Sequence, residues 1–164
     1  MKSAARLALG TCVAALLTVS LAAQAEVIRK SVPNAPIASS VQVSGNVTTY
    51  YLSGQVPSIA NKDADPRSPQ AYGDVEAQTV SILEKIKASL EGYGLTMGDV
   101  VKMQVYLVHT DKTPMDFKGF SQGYSKFFGG SQPNLPARST MGVSALVNPG
   151  WLVEIEVTAA KVSK

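Results

Sequence analysis

Arg138, Glu154 and Glu156 are the residues of this chain whose types and spacing suggest chemistry. They stand in two runs, Pro136-Ala137-Arg138-Ser139-Thr140-Met141-Gly142-Val143 and Leu152-Val153-Glu154-Ile155-Glu156-Val157. Both runs alternate in polarity, and a period of two sends successive side chains of a β-strand to opposite faces. In the second run Val153, Ile155 and Val157 share one face and the two carboxylates share the other. In the first, Met141, Val143 and Ala145 read as the apolar face, with Arg138, Thr140, Gly142 and Ser144 opposite. If both apolar faces meet one core, the guanidinium and the acids share the other side of the sheet. There they either hold a small polar molecule or only pair across neighbouring strands as an ordinary stabilising contact.

The elements that must position these residues are legible upstream. Residues 26–40 mix charge with proline and read as an extended lead-in. Val41–Ser44, the turn pair Gly45-Asn46, and Val47–Gln55 read as a β-hairpin. The hairpin closes at Ser53-Gly54-Gln55-Val56-Pro57, where a glycine near a strand end allows close backbone approach. Residues 58–73 are rich in Asn, Asp, Ser, Pro and Gly and form a surface loop. Asp74 then starts a helix with Val75, Thr79, Ile82, Ile86 and Leu90 on one stripe, stopped by Gly92 and Gly94.

Val100–Val108 reads as a strand with Val101, Met103, Val105 and Leu107 on one side. Asp111, Thr113 and Pro114 signal a second helix, striped by Phe117, Phe120, Tyr124 and Phe127 or Phe128. The expected order is β-β-α-β-α-β-β, an α+β domain with a single mixed β-sheet and two helices packed on one face. The other face, carrying Gln104, Tyr106 and Val108 as well as Thr140 and Gly142, is too apolar for water and too polar for a core. Self-association is the expected way to cover it.

Residues 1–25 read as a cleavable signal peptide. Lys2 and Arg6 precede an apolar run from Leu7 to Leu21, and Ala23-Gln24-Ala25 supplies the small-residue site, with cleavage after Ala25. The working domain is then 26–164, and the expected location periplasmic or secreted, with no membrane attachment after cleavage. Cys12, the one cysteine, leaves with the leader, which excludes thiol chemistry and cysteine–metal sites from the mature domain. Of the 15 lysines and arginines, Lys2 and Arg6 also leave, so 13 face 12 acids and the net charge falls from +3 to +1. No basic stripe remains for a nucleic-acid backbone. His109, the one histidine, reads as a surface residue without the partners a metal needs. Asp63 and Asp65 lack the further oxygen ligands of a calcium loop.

The chain resembles the reactive intermediate deaminase (RidA/YjgF) family. The matching stretches are Ser53-Gly54-Gln55-Val56-Pro57, Gly73 to Thr79, Gly94-Leu95 with Asp99 to Lys102, Tyr124 to Phe128, Pro136-Ala137-Arg138-Ser139, and Val153-Glu154-Ile155-Glu156. In order they span nearly everything from Ala35 onward. The resemblance implies a chorismate-mutase-like fold and a homotrimer with sites in clefts between subunits. It also implies hydrolysis of 2-enamino and 2-imino acids to 2-keto acids and ammonia, without metal or organic cofactor.

By position, Arg138 would grip the substrate carboxylate, since a planar guanidinium fits it with two parallel hydrogen bonds. Glu154 would place or activate the attacking water, although Glu156 shares its face and could exchange roles. Ser40, Ser53, Gly54 and Thr140 would line the substrate pocket with Arg138. Ser40 falls where active relatives carry a tyrosine, Thr140 where a cysteine is frequent, and Ser121 near a family asparagine. Two other readings stand beside the hydrolase: a non-catalytic trimer that keeps the arginine cleft for small carboxylates, and RNA cleavage, which the near-neutral charge disfavours.

Overall fold

A computed structural model describes residues 24–111 and 113–163. The proposed signal peptide lies almost wholly outside these residues. Eight principal elements follow in chain order: strands β1 (Glu26–Ser31), β2 (Ala38–Ser44) and β3 (Val47–Gln55), helix α1 (Val75–Gly92), strand β4 (Val100–Val108), helix α2 (Phe117–Tyr124), and strands β5 (Ala137–Val143) and β6 (Val153–Val162). The six strands form one sheet in the order β1-β2-β5-β4-β6-β3. It is mixed, because β4 and β5 run parallel while β6 runs antiparallel to both β4 and β3. Parallel neighbours need a crossover, and α2 with its flanking loops supplies it.

Helix α1 starts where the sequence placed it. The Asp74 carboxylate caps it by accepting from the Ala77 backbone N–H at 2.8 Å. Its stripe of Val75, Thr79, Ile82, Ile86 and Leu90 is buried, as are Gln78 and Leu83. The core joins this stripe to Met103, Val105 and Leu107 of β4, Val153, Ile155 and Val157 of β6, and Phe120, Tyr124 and Phe128 in and beyond α2. Both helices therefore cover one sheet face. Helix α2 starts later than its sequence signals suggest, because Asp116 is the cap, accepting from the Gly119 N–H at 2.8 Å.

The expected hairpin does not form. Residues 26–31 of the lead-in are a strand, and β2 takes its ladder from β1 across the pairs Glu26↔Ser44 to Ser31↔Ala38. β3 pairs instead with β6, from Val47↔Val162 to Gln55↔Ile155. Gly45, at φ 75°, redirects the chain between the two partnerships. The ten-residue β6 offers Tyr50 and Leu52 of β3 a core-facing ladder that short, exposed β2 cannot match. The β1–β2 ribbon joins the rest of the sheet through a single parallel pair, Ala38↔Ala137.

The loop 58–73 is tied down. Ala60 and Asn61 donate to the Ala71 carbonyl at 2.8 and 3.0 Å, and a short 3-10 turn covers Pro69–Ala71. Tyr72 stands edge-on to Trp151, and its hydroxyl donates to the Pro66 carbonyl at 2.9 Å. The loop thereby braces the turn between β5 and β6.

Candidate functional site

Register decides which side chains meet. β4 and β5 pair Met103 with Arg138, Val105 with Thr140 and Leu107 with Gly142. Residues paired across a sheet point the same way, and Met103, Val105 and Leu107 face the helices. Arg138, Thr140 and Gly142 therefore face the helices too. β4 and β6 pair Gln104 with Glu156 and Tyr106 with Glu154, so the carboxylates lie on the helix-free face. This corrects the expectation that Arg138 and the acids share one face. The reason is that Met141 and Val143 of β5 turn outward, with Met141 39% exposed, while the arginine turns in. Thr140 and Gly142, expected on the open face, move with it. Arg138 and Glu154 stand two strands and three rows apart, about 14 Å between Cα atoms before the faces are considered. One chain alone does not bring them together.

The half around Arg138 is aromatic and dry. Its guanidinium carbon lies 4.3 Å from the centroid of the Tyr124 ring and 4.9 Å from that of Phe120. These rings belong to a ladder of α2 and its C-terminal extension, with Phe117–Phe120 at 6.0 Å, Phe120–Tyr124 at 5.8 Å and Tyr124–Phe128 stacked at 4.7 Å. The ring faces carry the negative end of their quadrupoles and hold a cation where no carboxylate is present. Burial lowers the Arg138 pKa, opposed by Tyr124, yet the group stays charged because arginine starts so high. Burial also pushes the Tyr124 hydroxyl up to about 12, against the pull of Arg138. That hydroxyl donates to the Pro36 carbonyl at 2.9 Å, tying the segment before β2 over the rings.

Two polar atoms are left over in this half. Arg138 Nη1 and Thr140 Oγ1 are both buried without a hydrogen-bond partner. They sit two residues apart on one face of one strand. An unpaired buried donor on a charged group is expensive, and an orphaned hydroxyl on the same strand face adds to a cost that an acceptor placed there would relieve. A carboxylate satisfies both.

The second half lies on the open face. Ser53 and Gly54 form a β-bulge, since Leu52 pairs with Val157 but Gln55 with Ile155. The bulge brings the Gly54 backbone against Glu154, where a Cβ would overlap the carboxylate. Any side chain at 54 would displace the acid, which is the close approach the glycine permits. Glu156 is engaged by the Gln104 amide, which also donates to the Tyr106 hydroxyl at 3.2 Å. Glu154 has no hydrogen-bond partner among the described residues. Of the two acids it is the one with neither carboxylate oxygen engaged. A hollow of about 330 Å³ on this face is lined by Ser53, Lys102, Gln104, Glu156 and Thr158, with Tyr51, 83% exposed, at its rim.

Ser40 joins neither half. It is exposed on β2, opposite Lys30. Sequence reading missed the seat of the arginine, because Phe120 and Tyr124 read only as core. Their i, i+4 spacing on one helix face was the available signal. It also gave no role to Gln104, whose amide engages one of two otherwise similar acids.

The model of the Endoribonuclease L-PSP family matches residues 29–161. A RutC family protein of Saccharolobus solfataricus is 38% identical over 130 residues, covering 79% of this chain and 90% of that protein. The 2-iminobutanoate/2-iminopropanoate deaminase of Salmonella typhimurium is 34% identical over 133 residues, covering 80% of this chain and 94% of that enzyme. Among solved structures, a Rid family protein of unknown function from Yersinia pestis aligns with TM-score 0.60 and 29% identity over 82% of this chain and 97% of its own. TdcF of Escherichia coli, solved with bound serine, aligns with TM-score 0.54 and 28% identity over 72% of this chain and 87% of its own.

Proposed function

The chain belongs to the Endoribonuclease L-PSP (RidA/YjgF) family, and from that premise we propose that it hydrolyses short 2-imino acids, with their 2-enamino tautomers, to 2-keto acids and ammonia. Membership and the deaminase-named relatives support imine and enamine deamination in general. The particular substrate and the residues that act on it are our reading. Its chief support is the pair of unpartnered buried atoms, Arg138 Nη1 and Thr140 Oγ1. A 2-imino acid brings the carboxylate they lack, and the serine held by TdcF is a ligand of that size.

In this reading Arg138 and Thr140 fix the carboxylate and so orient the neighbouring C=N carbon. Glu154, unpartnered over Gly54, takes a proton from water as the oxygen adds to that carbon. That proton passes to the imine nitrogen, giving a neutral carbinolamine. Its hydroxyl proton then moves through Glu154 to the nitrogen as the C–N bond breaks and the C=O bond forms, and ammonia and the keto acid leave. Glu156, already bonded to Gln104, holds its neighbours in place and takes no proton. Because the arginine and the acid lie on opposite faces of one sheet, the working site combines Arg138 of one copy with Gly54 and Glu154 of another. A closed homotrimer repeats that junction three times. Export to the periplasm or medium, by cleavage after Ala25, belongs to the same proposal.

The test is ammonia release from freshly generated 2-iminopropanoate by the purified protein. Arg138→Ala and Glu154→Gln are each expected to abolish it. Co-expressed in equal amounts, the two inactive chains are expected to recover about one quarter of the activity, the share of junctions in a random cyclic assembly that combine both intact residues. No recovery would place the reaction within one chain. The separation of Arg138 from Glu154 favours a second reading, a small-carboxylate binder without turnover. Pyruvate binding that depends on Arg138, with no ammonia released above buffer, would establish that reading instead.

A further inference from the structure

The row Arg138, Thr140, Gly142 does not end at the carboxylate seat. Along β5 the floor drops to a glycine, and a Cβ at Gly142 would stand 3.4 Å from the His109 Cβ and 3.6 Å from the Met115 sulfur. His109 follows the last residue of β4, with its backbone N–H on the Val143 carbonyl at 2.8 Å. Its ring is fixed as well, because Nδ1 accepts from the Met115 backbone N–H at 3.1 Å. A ring that accepts at Nδ1 carries its proton at Nε2. With Nδ1 engaged as an acceptor, the ring presents Nε2–H as a pre-set donor at the far end of the row.

The side chains flanking this row are apolar. Met115 and Phe117 are 43% and 45% exposed, and Phe117 is the outer rung of the aromatic ladder whose inner rungs seat Arg138. Sequence reading gave His109 no role, and nothing in the hydrolysis scheme uses it. It stands beside Gly142, two residues along the same face from Thr140.

We propose that His109 is a specificity-determining residue, selecting 2-imino acids whose side chain ends in a second carboxylate. This deepens the reading of Arg138 as the carboxylate anchor and rests on it. One carboxylate sits on Arg138 and Thr140. The carbon chain passes over Gly142 beside Met115 and Phe117, and the far carboxylate accepts from His109 Nε2–H. The span fits: Thr140 to Gly142 is about 7 Å along the strand, and a five-carbon diacid with a hydrogen bond at each end reaches about 10 Å between donors. A substrate of two or three carbons is held by its first carboxylate alone.

Keto-acid products serve as stable probes: 2-oxoglutarate, 2-oxopentanoate (the same length without the second acid) and pyruvate. Calorimetric titration is expected to show 2-oxoglutarate bound about tenfold more tightly than 2-oxopentanoate, the yield of one added charge-assisted hydrogen bond. His109→Phe keeps the ring's bulk and is expected to level the two, with pyruvate unchanged. A second measurement needs no variant. His109 is the one histidine of the sequence, so in untagged protein labelled with ¹⁵N-histidine its Nε2 resonance should move with 2-oxoglutarate and stay with pyruvate. Equal affinity for the two five-carbon acids, a preference that survives His109→Phe, or an unmoved Nε2 resonance overturns the assignment while leaving the anchor intact. Pyruvate binding that ignores Arg138→Ala removes the anchor and this inference with it.

Discussion

The two half-sites of this protein are built on opposite principles. Around Arg138, a half-buried residue, the sheet face is covered by α2, the two unpartnered polar atoms are shut off from water, and a cation rests on aromatic rings with a donor to spare. Around Glu154 the sheet face is open, the acid lies against a bulged glycine, and its neighbour Glu156 is wired to Gln104. The dry half suits binding, because a charge-assisted hydrogen bond gains strength where water cannot compete. The open half suits proton transfer, because a half-buried carboxylate on an uncovered face can exchange with solvent. In the proposed reading, binding and proton handling are thus separated on one sheet and meet across a junction between copies.

The sharpest way to break this comparison is to neutralise each acid. Glu154→Gln is expected to lower kcat by about 10²–10⁴, the range for losing a general base, with keto-acid affinity unchanged. Glu156→Gln should cost less than about tenfold in rate, since it keeps an acceptor for Gln104 and removes no proton carrier. Ammonia-release kinetics decide it. Equal losses in both variants would mean that the Gln104 contact does not distinguish the acids.

The dry half makes a prediction in which stability and function move apart. Arg138→Met is expected to weaken pyruvate binding about a hundredfold by removing a charge-assisted contact. It should also raise unfolding stability by about 1 kcal/mol, because a buried, under-satisfied charge is replaced by an apolar chain at the loss of a cation–π contact. Calorimetric binding and urea unfolding read the two effects. A destabilised variant would show that the aromatic seat is worth more than the burial it offsets.

How much of this was legible in the sequence depended on whether a signal was local. Helix α1 was readable because its cap, stripe and terminating glycines all lie within one segment. The two-helix, one-sheet architecture followed from that kind of evidence. The face of β5 was not readable, because Met141 and Val143 look as apolar as any core pair. Only the parallel register with β4, a contact across about 35 positions, turns Arg138 inward beside Met103. The β2–β3 hairpin failed for the same reason. Gly45-Asn46 is turn chemistry, yet the ladder was decided by β6, more than a hundred residues away. At the candidate site, Arg138, Glu154 and Gly54 were singled out by residue type and by position in the family resemblance, while their placement on opposite faces needed the fold.

Tyr124 offers a smaller and purely physical probe of the dry half. Its hydroxyl titrates at about 12 in the fold against about 10 in an open chain, so the folded state holds the proton more tightly. The stability this represents is fully present below pH 10 and is lost as pH rises towards 12. The loss should reach about 2 kcal/mol after allowance for partial solvent access. Tyr124→Phe should flatten the alkaline limb of stability against pH, followed by urea unfolding at each pH. If the slope survives, another group governs that limb and the rings around Arg138 are wetter than the packing implies.

The smallest effect tests whether the orphaned hydroxyl is held for a ligand. Thr140→Val keeps the β-branched shape that suits a strand and removes only the unpartnered oxygen. If Thr140 serves the fold, losing its hydroxyl should destabilise the protein. If it waits for a carboxylate, stability should stay level or rise by up to about 1 kcal/mol, since a buried oxygen without a partner costs on that order. Pyruvate affinity should then fall by about five- to tenfold, one hydrogen bond's worth. Opposite signs for folding and binding at one methyl-for-hydroxyl exchange would identify the atom as part of a binding site, because a group that serves packing has no reason to be missed by the ligand alone.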